Sequence, residues 1–423
     1  MKRDYLTTFI TEGLVVASYL LTFRLVAAQL GTTGFGEYAL ARRTLAVLVP
    51  LGALTLDVAV ARYVAYSIAE RSPRTPRYVP SGVALVLGAT AVLAVVLLAF
   101  RGPLAYLFFG SDRYSDLITP MPLLVLGGGL HGIAYGQLRG RSQIQRANVL
   151  MAINHAVIPL AAVLLAGGSV ARILVLLGGG WTLASLAFLA VAPMDLRGLP
   201  ERIVELARYG VPRLPGALLQ LTLFALPSLI VAHLADITVA GSVAFGLAAV
   251  GMLGTAMTPI GFVLLPAAAR MMAAGSIPEL RRQVVQIARL STIGLLVAIA
   301  VTEVFAPQIV TAYLGPRFAG TADTLRVIAP AALPWGIYMS LASVIDAHHV
   351  RPVNARNMAI AFVTFVVLAG AALLASAPPL AIVAAFVVSL YVLGALTLLE
   401  VNSITTRGDE VVPLAPESQL QQL

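Results

Sequence analysis

The chain has 423 residues, 59% of them hydrophobic and only 11% charged, with a mean hydropathy of +0.91. A water-soluble domain of this size carries about 25% charged residues, so the composition points instead to an all-α polytopic membrane protein. The absence of cysteine excludes disulfides, thiolate metal sites and cysteine nucleophiles. The net charge of +9 rests on 28 basic residues, all but Lys2 being Arg. In such a chain that excess reads as cytoplasmic-loop bias, with no need for nucleic acid.

Lys2 and Arg3 precede an apolar run reaching about Leu30. That run is too long for the apolar core of a signal peptide, so the first span is expected to stay in the mature protein. Breaks at Gly, Pro and charged clusters then predict twelve transmembrane helices. They fall near 8–30, 37–60, 81–100, 118–138, 148–167 and 172–192, then 210–234, 242–268, 284–306, 323–346, 356–375 and 379–402.

With the N-terminus taken as inside, the inside segments hold 20 basic residues and the outside segments 5. The positive-inside rule then makes both termini cytoplasmic. Such a multi-pass protein is expected in a membrane.

The two halves also echo one another. "LFFGSDRYSDLITPMPLL" from Leu107 matches "AYLGPRFAGTADTLRVIAP" from Ala312, with Gly110 and Gly315 offset by 205. "FGEYALA" matches "AGSVAFGLA" through Gly36 and Gly241, again 205 apart. Six spans per copy keep the copies in one orientation, which predicts a parallel repeat about an axis along the membrane normal. The expected organisation is an N-terminal lobe at 1–205, a C-terminal lobe at 206–402 and a mobile cytoplasmic tail at 403–423.

Polar residues inside the spans carry the functional argument. Arg42 and Arg43 lie six and seven residues after Gly36, and Arg24 lies seven before Gly31. At roughly 1.5 Å per residue the three guanidinium groups share one level of two consecutive helices. Long Arg stems can snorkel from there to the outer headgroups. Alternatively, at least two of them face a hydrated cavity and attract phosphate, whose oxygens suit the planar fork of an Arg. Arg42 and Arg43 point about 100° apart, and the expected cavity-facing pair is Arg43 and Arg24.

Asp57 shares the face of Arg43 and Pro50. Either it pairs with Arg62 near the cytoplasmic surface or it couples an ion. His131 stands near the middle of span 4 in "LGGGLHGIAYG", and span 5 carries Asn154 and His155. A histidine there either hydrogen-bonds a neighbouring helix or serves as a second ion-coupling candidate, since its proton affinity is easily tuned near neutrality. Glu12, Glu303, Asp346, His348 and His349 lie near span ends and read as interfacial. No metal-ligand cluster, P-loop, H-E-x-x-H or G-x-S-x-G is present, so no catalytic residue and no cofactor are expected.

Several stretches resemble a known family. "LGTTGFGEYAL" after span 1 is similar to the L-G-x-x-x-F-G-x-Y signature of Wzx-type polysaccharide or O-antigen flippases, and "LTLDVAVARYVAY" resembles the segment that follows it there. "ELARYGVPRLPGALLQ" and "YLGPRFAGTADTLRVIAP" resemble that family's approaches to spans 7 and 10. These flippases belong to the multidrug/oligosaccharidyl-lipid/polysaccharide (MOP) exporter superfamily, together with lipid II flippases and MATE drug exporters. The resemblance implies two six-helix lobes around a central cavity with alternating access. Its implied cargo is a polyprenyl-pyrophosphate-linked oligosaccharide turned from the cytoplasmic to the outer leaflet of a prokaryotic cell membrane for surface polysaccharide biosynthesis. Arg24, Arg43 and Arg42 would then hold the pyrophosphate. Membrane lipids, a polysaccharide polymerase and glycosyltransferases are the implied partners, and nucleic acid is not among them.

Two other readings stand beside this one. A MATE-like exporter of small amphipathic cations would want carboxylates where this N-terminal half supplies arginines. A membrane polysaccharide polymerase or ligase would need a large outer loop, and every outer loop predicted here is short.

Overall fold

A computed structural model describes the backbone of residues 2–349 and 351–406, and side chains within it apart from 2–6, 255, 262 and 266. The described residues form helices and turns, with no strand among them. An all-helical fold follows from the solvent, because a lipid-exposed backbone must satisfy its own polar groups within each segment. The predicted tail begins as helix, since Pro379–Thr406 continues to Thr406, and its remainder lies outside the described residues.

Eleven helical segments among the described residues are long and apolar enough to cross a membrane. The first, Thr7–Ala69, is 63 residues long and contains predicted spans 1 and 2. Its helix Lys2–Ala53 is interrupted at Gly31, which has φ 66° and ψ −164°. The Phe23 ring lies 5.6 Å from Phe35 and 5.5 Å from Tyr38. In one straight helix residues twelve and fifteen apart would be about 18–22 Å distant, so the chain turns back on itself at Gly31. A side chain would strain that φ, which glycine adopts at no steric cost. The second arm ends where Leu54 and Thr55 both take positive φ, and Leu56–Ala69 starts a new helix with Asp57 in its first turn. A carboxylate is favourable at that end of a helix dipole.

Several helices run further than hydropathy predicted. Leu199–Gly210 leads through the turn Val211–Arg213 directly into Leu214–Leu234. Leu206 and Gly210 are buried on it while Val204 and Arg208 are exposed, so this extension is amphipathic and escapes a hydropathy window. Arg101–Phe109, read from the sequence as outer loop, is also helical.

The 205-residue echo has a local counterpart. Gly110 (φ 75°) and Gly315 (φ 104°) both take the left-handed region. Each leads into a short 3-10 turn, Asp112–Tyr114 or Pro316–Phe318, and then a short helix, Ser115–Ile118 or Thr321–Ile328.

Packing groups the chain into two compact units, one of residues up to 245 with 307–322 and one of 246–306 with the residues from 323 onward. The sequence division at 205 follows the repeat, whereas this grouping puts the helices of 206–245 with the first unit. In that first unit a core of Leu56, Val60, Val86, Leu130, Ile133 and Leu206 is closed by glycine contacts. A Cβ on Gly127 would stand 2.9 Å from the Gly178 carbonyl oxygen, so Met121–Gly140 and Val170–Ala190 approach through small residues, as membrane helices do in the absence of a hydrophobic drive. Gly36 and Gly241, the offset-205 pair, lie against each other, and a Cβ on Gly241 would sit 2.5 Å from the Gly36 Cα. The second unit has its own core of Leu264, Leu280, Leu341, Val344, Ile345 and Val401.

Candidate functional site

The first unit gathers the predicted arginines around two tyrosines. On the arm before Gly31, Tyr19 lies one turn or so from Arg24, and Arg42 and Arg43 stand on the returning arm. The Arg42 guanidinium is 5.8 Å from the Tyr19 ring and 5.9 Å from that of Trp181. Arg43 lies within electrostatic range of Tyr19 and of Arg42. Tyr313 donates to the Leu20 carbonyl, stacks on Phe245 at 5.8 Å and lies within electrostatic range of Tyr19 and Arg24.

The two adjacent arginines part as the 100° helix step requires. Arg43 donates from Nη2 to the Ala244 carbonyl at 2.8 Å. Arg42 turns toward Trp181 and has no hydrogen-bond partner among the described residues. Arg24 is exposed. Among the described residues, none of Arg24, Arg42 and Arg43 makes an ion pair. Uncompensated cations inside a bundle are costly unless an anion or water reaches them, which makes this cluster a candidate anion site.

Beyond Arg42 lies a polar cluster that hydropathy could not assemble. Ile153–Val157 forms one turn of π-helix, presenting Asn154 and His155. Ser18 donates across from the first helix to the Ala156 carbonyl at 2.7 Å, supplying a partner for backbone displaced by the wider turn. Such turns are frequent at functional sites. Asn154 Nδ2 donates to His131 Nδ1 at 2.8 Å and to Ser185 Oγ at 3.1 Å. His131 Nε2 meets His155 Nε2 at 3.3 Å. Trp181 Nε1 donates to the Asn154 carbonyl at 2.5 Å and lies 5.6 Å from the His155 ring. His131 thus makes interhelical hydrogen bonds; the sequence placed Asn154 and His155 on span 5 but gave neither their contact with His131 nor the π-turn.

Asp57 stands apart from the arginines, against the glycine face of Met121–Gly140, where its carbonyl and Cβ pack on Gly136 and Gly132. The ion pair with Arg62 considered from the sequence is not found among the described residues. Arg62 instead reaches the Tyr209 hydroxyl at 3.4 Å and lies 5.0 Å from the rings of Tyr66 and Tyr209. Asp57 and Glu12 both lie within electrostatic range of Tyr135, which stacks on His131 at 5.6 Å. No group of three or more metal-ligating side chains occurs among the described residues.

Eleven segments long and apolar enough to cross a membrane, among the described residues, define a multi-pass membrane protein, and one of its units gathers polar and cationic groups. No protein-family model and no curated relative matches the sequence. Solved structures do match over nearly the whole chain. An inward-facing multidrug resistance MATE family transporter of the MOP superfamily superposes with a TM-score of 0.78 at 14% identity, covering 94% of this chain and 96% of that one. The lipid II flippase MurJ, in an inward closed conformation, gives 0.73 at 12% identity over 96% and 91%. A MOP superfamily transporter from Pyrococcus furiosus, described as having a binding pocket of reverse polarity, gives 0.65 at 14% identity over 96% and 95%. The chain has the fold of MOP superfamily transporters.

Proposed function

We propose that the chain is a flippase carrying polyprenyl-pyrophosphate-linked oligosaccharide from the cytoplasmic to the outer leaflet by alternating access, in the prokaryotic cell membrane, for surface polysaccharide assembly. The observation that carries this reading is the set of three arginines, Arg24, Arg42 and Arg43, gathered about Tyr19 and Tyr313 with no ion-pair partner among the described residues. A doubly esterified pyrophosphate bears about two negative charges and sheds hydration on entering a protein, so fixed guanidinium forks must replace that water. Tyrosine and tryptophan rings beside them offer flat apolar faces to a sugar or an isoprenoid. A cationic drug would find repulsion at the same place, which disfavours a MATE-like cargo. The sequence motifs shared with Wzx-type flippases support the same cargo class, and a lipid flippase with this fold already exists in MurJ.

The testing experiment uses proteoliposomes loaded with a fluorescent short-chain pyrophosphate-linked glycan. Transbilayer movement is read by a membrane-impermeant quencher, and loss of the protected inner-leaflet probe with wild-type protein but not with the Arg24→Gln, Arg42→Gln variant is the expected result. Equal movement by both would refute the assignment of these charges to cargo.

A further inference from the structure

The geometry of the histidine pair beside Arg42 fixes the chemistry it can perform. An amide nitrogen only donates, so the 2.8 Å contact from Asn154 Nδ2 makes His131 Nδ1 an acceptor. The neutral His131 ring then carries its hydrogen on Nε2, which donates across 3.3 Å to His155 Nε2. His155 is thereby fixed as the tautomer with its hydrogen on Nδ1. Both N–H groups of Asn154 are used, because the second goes to Ser185 Oγ at 3.1 Å. Its Oδ1 is buried with no hydrogen-bond partner. The pair as it stands is uncharged, and a vacant acceptor lies next to it.

One proton from water can be added if the Asn154 amide turns over, which also makes the Ser185 hydroxyl the donor in its contact. A proton on His131 Nδ1 turns that atom into a donor, and rotation of the Asn154 amide offers it Oδ1. A second proton would place two imidazolium rings within 3.3 Å of each other, so the pair titrates as a unit that accepts a single proton. The other groups facing it leave no built-in counter-charge at the nitrogen atoms. From the first helix these are Arg42 and Tyr19; Arg42 shares the Trp181 ring with His155 and acts on it electrostatically. From its own helix His131 meets Tyr135, around which Arg139, Glu12 and Asp57 are arranged. The helix Val170–Ala190 contributes only the neutral Trp181 and Ser185.

We infer that His131 and His155 form a one-proton site coupled through Arg42 to the anion site, so that a proton and an anionic pyrophosphate bind synergistically. This rests on the proposed function. While the anion site is empty, the positive field of Arg42 opposes a proton on the neighbouring pair. A pyrophosphate on Arg42 cancels that field, and by linkage the proton strengthens the anion's binding by the same factor. Between partly hydrated charges on either side of the Trp181 ring, that factor is about tenfold, the order of ordinary couplings between two sites. The sign distinguishes this device from competition between proton and cargo at a shared carboxylate, because here the two ligands carry opposite charges.

The test uses full-length protein in nanodiscs and, as probe, citronellyl-pyrophosphoryl-N-acetylglucosamine, whose doubly esterified pyrophosphate does not titrate between pH 5 and 8. Calorimetric titration in two buffers of different ionisation enthalpy counts the protons taken up per probe bound. Wild type should bind more tightly at pH 5 than at pH 8, by less than the full coupling factor, taking up a fraction of one proton as the pH falls. The His131→Gln, His155→Gln variant should bind with pH-independent affinity and no uptake. Nitrogen-15 spectra of histidine-labelled wild type, which need no variant, should show the two opposite neutral tautomers at pH 8 and, with probe bound, growing protonation of one ring of the pair as the pH falls toward 5. Binding without proton uptake in wild type, or undiminished uptake in the variant, overturns the inference and leaves the pyrophosphate site standing. Failure of wild type to bind the probe at any pH overturns the pyrophosphate site and the inference together.

Discussion

Arg42 offers the sharpest perturbation of the proposed site. Its guanidinium lies about Tyr19 and Trp181, 5.8 and 5.9 Å away, and has no hydrogen-bond partner among the described residues. Replacing it by Gln therefore breaks no internal hydrogen bond, while removing one charge and a donor fork. A hydrogen bond to a charged group contributes about 1.5–3 kcal/mol, and each 1.4 kcal/mol is about a factor of ten. Arg42→Gln should weaken binding of a pyrophosphate-linked probe by about ten- to hundredfold. Arg42→Lys should recover part of this, because it keeps the charge and loses the fork. Arg43→Gln differs in kind: its Nη2 already holds the Ala244 carbonyl at 2.8 Å, so its loss should cost thermal stability as well as affinity. The assay is probe binding by the purified protein, with melting temperature measured alongside. Unchanged affinity in Arg42→Gln, with normal folding, would refute the reasoning that this cation is uncompensated because it awaits an anion.

Further outcomes follow from the same geometry. Gly241→Val should destabilise the first unit by about 1–3 kcal/mol through overpacking, since its Cβ would meet the Gly36 Cα at 2.5 Å; an unchanged melting temperature would show that this crossing is loose. A reporter fused at the C-terminus should be active only in the cytoplasm, and one in the loop between residues 234 and 237 only outside, the reverse of either signal breaking the topology. Predicted spans 1–6 and 7–12 should superpose in a crystal structure by a rotation of about 180° about the membrane normal; an inverted relation would contradict the repeat. Asp195 accepts from the Arg197 backbone N–H and from Arg77 Nε at 2.9 Å, which hold its carboxyl below the ordinary range. Its contribution is therefore present above about pH 4 and fades as the pH falls through the lowered value. Asp195→Asn should narrow the stability difference between pH 7 and pH 3, while a widened difference would contradict the pairing.

The helical bundle was legible in the sequence because lipid imposes a simple rule, about twenty apolar residues per crossing. Helix ends were less legible for the same reason: Leu199–Gly210 continues past the apolar stretch on an amphipathic face, which a hydropathy window reads as loop. Gly31 was readable as a turn, but its conversion of spans 1 and 2 into one folded-back pair depends on the contact of Phe23 with Phe35 and Tyr38. At the site, the presence of intramembrane arginines was plain, and the 100° step already separated Arg42 from Arg43. Which of them met a carbonyl and which met Trp181 depended on partners 201 and 139 residues away in sequence. His131 was visible as an isolated polar residue. Its partner is brought to it by the π-turn at Ile153–Val157, a backbone feature with no composition signature of its own.

The central claim is that the arginine cluster moves a pyrophosphate-linked glycan across the bilayer, and transbilayer movement in proteoliposomes measures it most directly. With a fluorescent short-chain pyrophosphate-linked glycan in the lipid phase, wild-type protein should make the whole probe pool accessible to an external quencher. Protein carrying Arg24→Gln, Arg42→Gln and Arg43→Gln together should leave the inner-leaflet half protected. Protection of that half by wild-type protein, or its loss in the triple variant at equal reconstituted amounts, would contradict the account.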